Sequence, residues 1–176
     1  MHALRSALAP VFFALGLAAA AAQQPAPAPY PLDNVPEKMP FATPYGAPIA
    51  LARAQGAIAA AQAEAEKRGW PLVISVVDSG ANLVAFARMD GAQTGSVSVS
   101  QHKARAAATF RRPTRVFEEA IQKNDMKYIL TLDGIIASRG GIPLIEDGKL
   151  IGAIGCSGGT GSQDEIVCAA GAATIK

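Results

Sequence analysis

Residues 140–173 read GGIPLIEDGKLIGAIGCSGGTGSQDEIVCAAGAA. Two apolar runs, Ile142–Ile145 and Leu150–Ile154, flank Asp147-Gly148. Asp-Gly between strand-like runs predicts a tight hairpin, because both central turn residues need positive φ. The second run enters a glycine-rich loop, Gly155–Gly161, and a helix follows. Ser162 and Glu165 have the spacing of a capping box, in which the serine takes the Glu165 amide and the glutamate reaches back. A strand, a glycine loop and a capped helix in series also offer exposed amides to an anion.

Working outward, the rest of the domain follows the same grammar. Pro48 suits the first turn of a helix over Ile49–Arg68, and Gly69 is a natural stop. Trp70–Val77 and Asn82–Arg88 are strand-like and flank the turn Asp78-Ser79-Gly80. Thr94–Phe110 predicts a long second helix, broken by Pro113. Thr114 can cap a third helix, Arg115–Lys123, with Phe117 and Ile121 on one face. Within Ile129–Ser138, the run Ile135-Ile136-Ala137 reads as a short strand. Hairpins and helices in this order predict an antiparallel sheet with helices packed against it.

The N-terminus reads differently. Arg5 precedes an Ala-rich apolar run, Ala7–Ala22, that ends in small residues before Gln23. This is the pattern of a secretory signal peptide over residues 1–22, and the run is short and broken by Pro10 for a bilayer span. A periplasmic or secreted protein without stable membrane insertion is expected. Residues 23–47 are read as an extended, proline-rich arm, since eight of the twelve prolines fall between Gln23 and Pro48. The domain proper is placed at 48–176.

The formal net charge is +2, and loss of Arg5 with the leader brings it nearer neutrality, so charge gives no case for nucleic acid. His2 leaves with the leader, and His102 is then the only histidine. A multi-histidine metal centre within one chain is excluded. No Gly-x-Ser-x-Gly, His-Glu-x-x-His or Walker sequence is present. His102 can still serve as one axial ligand to a haem iron, or be a solvent-facing helical residue. Around it lie Lys103, Arg105, Arg111, Arg112 and Arg115, with no acid between Gly91 and Phe117. Lys103 and Arg111 are eight apart and would share a face of a continuous helix, with Thr109 near the face of His102. Such a cluster suits carboxylates, and a solvated face or a subunit contact is the alternative. Cys156 and Cys168 permit a disulfide in an exported chain or stand as two small buried thiols.

Several motifs occur in one order: Val76-Val77-Asp78-Ser79-Gly80, Arg88-Met89-Asp90-Gly91, Lys103-Ala104-Arg105, Phe110-Arg111-Arg112-Pro113-Thr114, Gly140-Gly141-Ile142-Pro143 and Gly152-Ala153-Ile154-Gly155-Cys156-Ser157-Gly158. The chain resembles the GlcG/HbpS-like haem-binding family over about residues 48–175. The resemblance implies a three-layer α/β domain of α+β type, with a five-stranded antiparallel sheet between helices, and assembly into homo-oligomers. It implies haem binding, with iron-dependent haem degradation or corrinoid binding in some members. On the second helix it points to His102, Lys103 and Thr109, with Thr109 matched to a threonine ligand. His102 and Thr109 are the candidate metal ligands, and Lys103, Arg111 and Arg112 the candidate partners of haem carboxylates. Both cysteines depart from the family's small apolar residues, and the paired departure favours a disulfide.

Three readings follow. The first is an exported, non-catalytic haem- or tetrapyrrole-binding protein in haem or iron handling. The second is an enzyme or accessory that binds a small carboxylate, and the third a structural homo-oligomer whose basic cluster is an interface.

Overall fold

Continuous burial marks the two central strands. In β1 (Val73–Asp78) five consecutive residues are buried, and in β4 (Lys149–Ser157) eight. Strands covered on both faces lose the polar/apolar alternation of a half-wet sheet. The edges are β2 (Leu83–Arg88) and β3 (Gly141–Glu146), in the order β2-β1-β4-β3, with every pair antiparallel. This architecture is that of a computed structural model, which describes residues 35–176. The signal peptide expected at 1–22 and the arm up to residue 34 lie outside the described residues.

Helices cover both faces of the sheet. On one face, Ile74, Val76, Ile154 and Cys156 pack with Ala54, Ala57, Ile58, Ala61 and Ala65 of α1 (Leu51–Arg68) and with Val167 and Cys168 of α4 (Gly161–Ala172). On the other, Val77, Leu150 and Ala153 pack with Ala104, Ala107 and Ala108 of α2 (Ser96–Thr109). The small residues permit a close approach. A Cβ on Gly155 would collide with the Ser100 carbonyl, and one on Gly141 with the Lys103 carbonyl. A Cys156–Cys168 disulfide, with Cα atoms 5.6 Å apart, staples β4 to α4.

Several expectations are corrected. Among the described residues the sheet has four strands, not five. Residues 135–137 form no strand, because Ile135 and Ala137 instead join a satellite cluster with Phe117, Ala120 and Ile129. That cluster links α3 (Arg115–Asn124) to a 3₁₀ turn, Lys127–Thr131. The capping box of α4 is Thr160 with Gln163, not Ser162 with Glu165: Thr160 is the last extended residue (φ −70°, ψ 157°), and Ser162 already lies inside the helix. Thr114 does not cap α3 with its side chain. Its hydroxyl accepts from the Gly141 N–H at 2.9 Å, and its own N–H donates to the Gly141 carbonyl, which ties α3 to β3.

The chain ahead of α1 is held against the domain. Gly46 N–H donates to Leu150 O, Leu150 N–H to Pro44 O, and Ile49 N–H to Ile151 O. These bonds fill the ladder position beside β4 that lies beyond the end of β1 at Asp78, which pairs with Gly152.

Candidate functional site

The second helix has a buried face and an exposed stripe, with the buried Ala106 beside that stripe. Ser96, Ser100, Lys103, Ala104, Ala107 and Ala108 are buried, while Ser98, His102, Arg105 and Thr109 are exposed. Steps of three and four residues put these four on one stripe. The metal-ligand candidates His102 and Thr109 therefore share the open face of α2, with Arg105 between them. They are two turns apart, about 10 Å along the axis, so both side chains of one chain cannot ligate the same iron.

Lys103 is elsewhere. Its ammonium is 1% exposed and donates to Asp164 Oδ2 of α4 at 2.7 Å. It shares no face with Arg111, because α2 ends at Thr109 and Arg111 turns out of it in the left-handed region (φ 53°). Burial pushes the Asp164 carboxyl up, against the pull of the Lys103 ammonium and of the Gly159 N–H. The lysine is thus committed to an internal pair.

Arg111 and Arg112 lie at the exit of α2 and are half-buried. The Arg111 guanidinium donates to the Thr43 carbonyl at 3.0 Å and lies 5.3 Å from the Tyr45 ring centre. Arg112 lies 3.7 Å over the Phe41 ring and 5.6 Å from Phe117. Burial, and then the neighbouring Arg111 charge, lower the Arg112 pKa from its usual value. The Tyr45 hydroxyl donates to the Thr109 carbonyl at 2.7 Å. The segment Phe41–Tyr45 thus touches the Thr109 carbonyl, Arg111 and Arg112 together, while His102 lies two turns back along α2.

Arg115 is balanced by Glu119 at 2.9 Å and Glu165 at 3.8 Å. Arg139, beside it, is bound to Glu118 at 2.7 Å. The glycine loop ahead of α4 spends its amides internally: Gly159 N–H goes to Asp164, and Thr160 N–H to Gln163 Oε1.

Two features escaped the sequence reading. Arg105 was visible only as one cation of a cluster, although its spacing of three from His102 and four from Thr109 places it on their stripe. The 3₁₀ turn leaves Tyr128 and Leu130 exposed, Leu130 by 67%, and Leu132 just after it is exposed too. Phe110, which follows Thr109, packs in the same cluster as Ile129 of that turn. Leu130 and Leu132 are exposed apolar side chains close in sequence to Ile129, which shares a cluster with Phe110. A cavity of about 380 Å³ lies away from α2, lined by Gln62, Glu66, Arg88, Met89 and Asp90. There Arg88 is forked onto the Ala92 carbonyl, with bonds of 3.2 and 2.8 Å.

Fold and site together describe an α+β domain whose second helix presents an exposed polar and basic stripe. Residues 49–173 match the family described as haem degrading protein HbpS-like, and the chain belongs to that family. Protein GlcG of Escherichia coli K12 is 41% identical over 104 residues, which span 59% of this chain and 77% of GlcG. The crystal structure of HbpS superposes with a TM-score of 0.69 at 29% identity, covering 74% of this chain and 92% of HbpS. The crystal structure of a PduOC:heme complex gives a TM-score of 0.66 at 25% identity, covering 73% of this chain and 96% of PduOC.

Proposed function

We propose that this protein binds haem, or a closely related iron tetrapyrrole, on the open face of α2, as an exported component of haem or iron handling. The observation that carries the reading is the exposed stripe His102–Arg105–Thr109 on α2, with Arg112 just beyond the end of the helix. Family membership and the structural likeness to a haem complex support it.

The residues present fit such a group. An iron tetrapyrrole needs an axial donor, cations for its carboxylates and apolar surface for its ring. His102 supplies an imidazole nitrogen and Thr109 a hydroxyl oxygen, as alternatives rather than as a pair. Arg105 and Arg112 supply guanidinium forks, which bind carboxylates in two parallel hydrogen bonds. The bound group would bring an iron with exchangeable ligand positions. The chain's contribution is to orient it and to neutralise its charge. Lys103, turned inward to Asp164, sets the position of α2 rather than meeting a ligand. Arg111 can take part only by leaving Thr43 and Tyr45.

Export is proposed on two grounds. The leader-like residues 1–22 precede the domain, and a buried disulfide between β4 and α4 suits an oxidising compartment. Assembly into a homo-oligomer is part of the same proposal, since an exposed helix face covers a flat ligand on one side only.

Titration of the purified full chain with hemin tests the reading. A saturable change in the Soret band, at a fixed ratio of hemin to chain, is expected. A spectrum that stays the sum of free hemin and protein at every ratio overturns it.

A further inference from the structure

We propose that Phe41–Gly46 is a self-inhibitory strap, which occupies Arg111 and Arg112 in the free protein and yields them to a carboxylate-bearing ligand. The proposal rests in part on the haem reading, in that haem is one such ligand, but its chemistry requires only a polycarboxylate.

The strap is fastened at two kinds of point. At its C-terminal end the backbone is laddered to β4 through Pro44, Gly46 and Leu150. Ahead of that, the described hold on α2 is made through side chains. Phe41 lies under the Arg112 guanidinium, Tyr45 beside that of Arg111, the Thr43 carbonyl on Arg111, and the Tyr45 hydroxyl on the Thr109 carbonyl. An aromatic face attracts a guanidinium through its quadrupole, far more weakly than a carboxylate that takes two charge-assisted hydrogen bonds. A ligand bearing carboxylates therefore outbids the rings for the same two cations.

The backbone of the strap points the same way. Phe41 (φ 59°) and Arg111 (φ 53°) are non-glycine residues in the left-handed region. At Arg111 that region belongs to the end of α2, where the Arg111 and Arg112 N–H groups return to Ala108 and Ala107, so only Phe41 sits in a costly conformation that release can relax. Arg112 is also lowered in pKa by burial and by Arg111, which marks two like charges held close. A dianionic ligand between them relieves that repulsion, and a neutral ring does not. The strap also touches Thr109, but only at its backbone carbonyl, which accepts from the Tyr45 hydroxyl, so release frees the cations and leaves the Thr109 side chain as exposed as before.

The test uses the full chain and two variants, Phe41→Ala and Tyr45→Ala, each checked for native far-UV circular dichroism. Two probes are applied, hemin and citrate, and hydrogen exchange is followed at residues 41–46. Losing one ring contact is expected to raise hemin affinity by about fivefold, in line with the strength of exposed cation–π pairs. In the unaltered chain, saturating hemin is expected to speed exchange at 41–46. Equal or weaker hemin binding by both variants, or slower exchange at 41–46, would show that the segment is a wall of the site and overturn the strap. If hemin binds no form of the chain, the haem reading fails by itself and citrate decides the strap. Tighter citrate binding by both variants than by the unaltered chain then supports it. Equal citrate affinity, or no citrate binding to any form, overturns it.

Discussion

Replacing Lys103 by methionine tests how this domain positions α2. The change keeps most of the side-chain volume and removes the ammonium that faces Asp164 at 2.7 Å, where both side chains are almost wholly buried. The carboxylate is left with the backbone N–H groups of Gly158 and Gly159 and no countercharge. Breaking a buried pair from one side typically costs about 3–5 kcal/mol, because the survivor is an uncompensated charge. At about 3 °C per kcal/mol for a domain of this size, the melting temperature should fall by roughly 10–15 °C. Burial already pushes the Asp164 carboxyl up even with the lysine present. Lys103→Met is therefore expected to protonate Asp164 in the folded state. A carboxyl whose folded pKa is raised gives the native state extra protons between the unfolded value and the raised one. Its cost is then absent at low pH and grows as pH rises through the raised value. The deficit of the variant should be smaller at pH 5 than at pH 8. The double variant Lys103→Met/Asp164→Leu should recover most of the loss and lie within about 1–2 kcal/mol of the unaltered chain, since the desolvation of both charges disappears with them. Urea unfolding followed by circular dichroism measures four proteins, the unaltered chain, Lys103→Met, Asp164→Leu and the double variant. The reasoning is refuted if Lys103→Met costs less than about 1 kcal/mol, or if the double variant is as unstable as the sum of the two single ones.

Other perturbations probe other parts of the account. Burial raises the Glu118 carboxyl, but side-chain and backbone N–H bonds from Arg139 outweigh it and hold the pKa below its ordinary value. The stabilisation is present above the unfolded pKa and lost as pH falls through the depressed one. Glu118→Gln should thus cost about 1–2 kcal/mol at pH 7 and flatten the acid limb of a stability–pH curve. Gly155→Ala would drive a methyl group into the Ser100 carbonyl of α2. A loss of about 3 kcal/mol or more, or failure to fold, is expected, and an unfolding midpoint equal to that of the unaltered chain would contradict the packing described. The Cys156–Cys168 staple closes a short loop, with a sequence separation of 12. Replacing both cysteines by alanine should cost about 3 kcal/mol in non-reducing urea unfolding, and the difference should vanish when the unaltered chain is reduced.

The sequence made the hairpin legible because its turn chemistry is local. Asp147 and Gly148 both take positive φ, as a two-residue turn between these runs requires. The cap of α4 was harder, since Thr160–Gln163 and Ser162–Glu165 both carry the capping spacing. Only the extended backbone at Thr160 decides between them. Helical spacing alone puts Thr109 near the face of His102, whereas the place of Arg105 between them is seen only in the structure. Lys103 was not legible either, because a lysine in such a helix reads as solvated until a partner 61 residues away is placed against it. The partners of Arg111 and Arg112 were hidden for a related reason. Phe41 and Tyr45 lie in a proline-rich segment that has no periodicity, and only a long-range ladder to Leu150 brings it to the end of α2.

The most direct test of the central claim is the spectrum of the ferric hemin complex in the unaltered chain, His102→Ala and Thr109→Ala. The two side chains lie too far apart on one helix to serve one iron, so the account predicts that one variant alone displaces the Soret maximum and the ligand signature, while the other leaves both in place. A complex whose spectrum is indifferent to both substitutions would place the iron away from the open face of α2 and contradict the account.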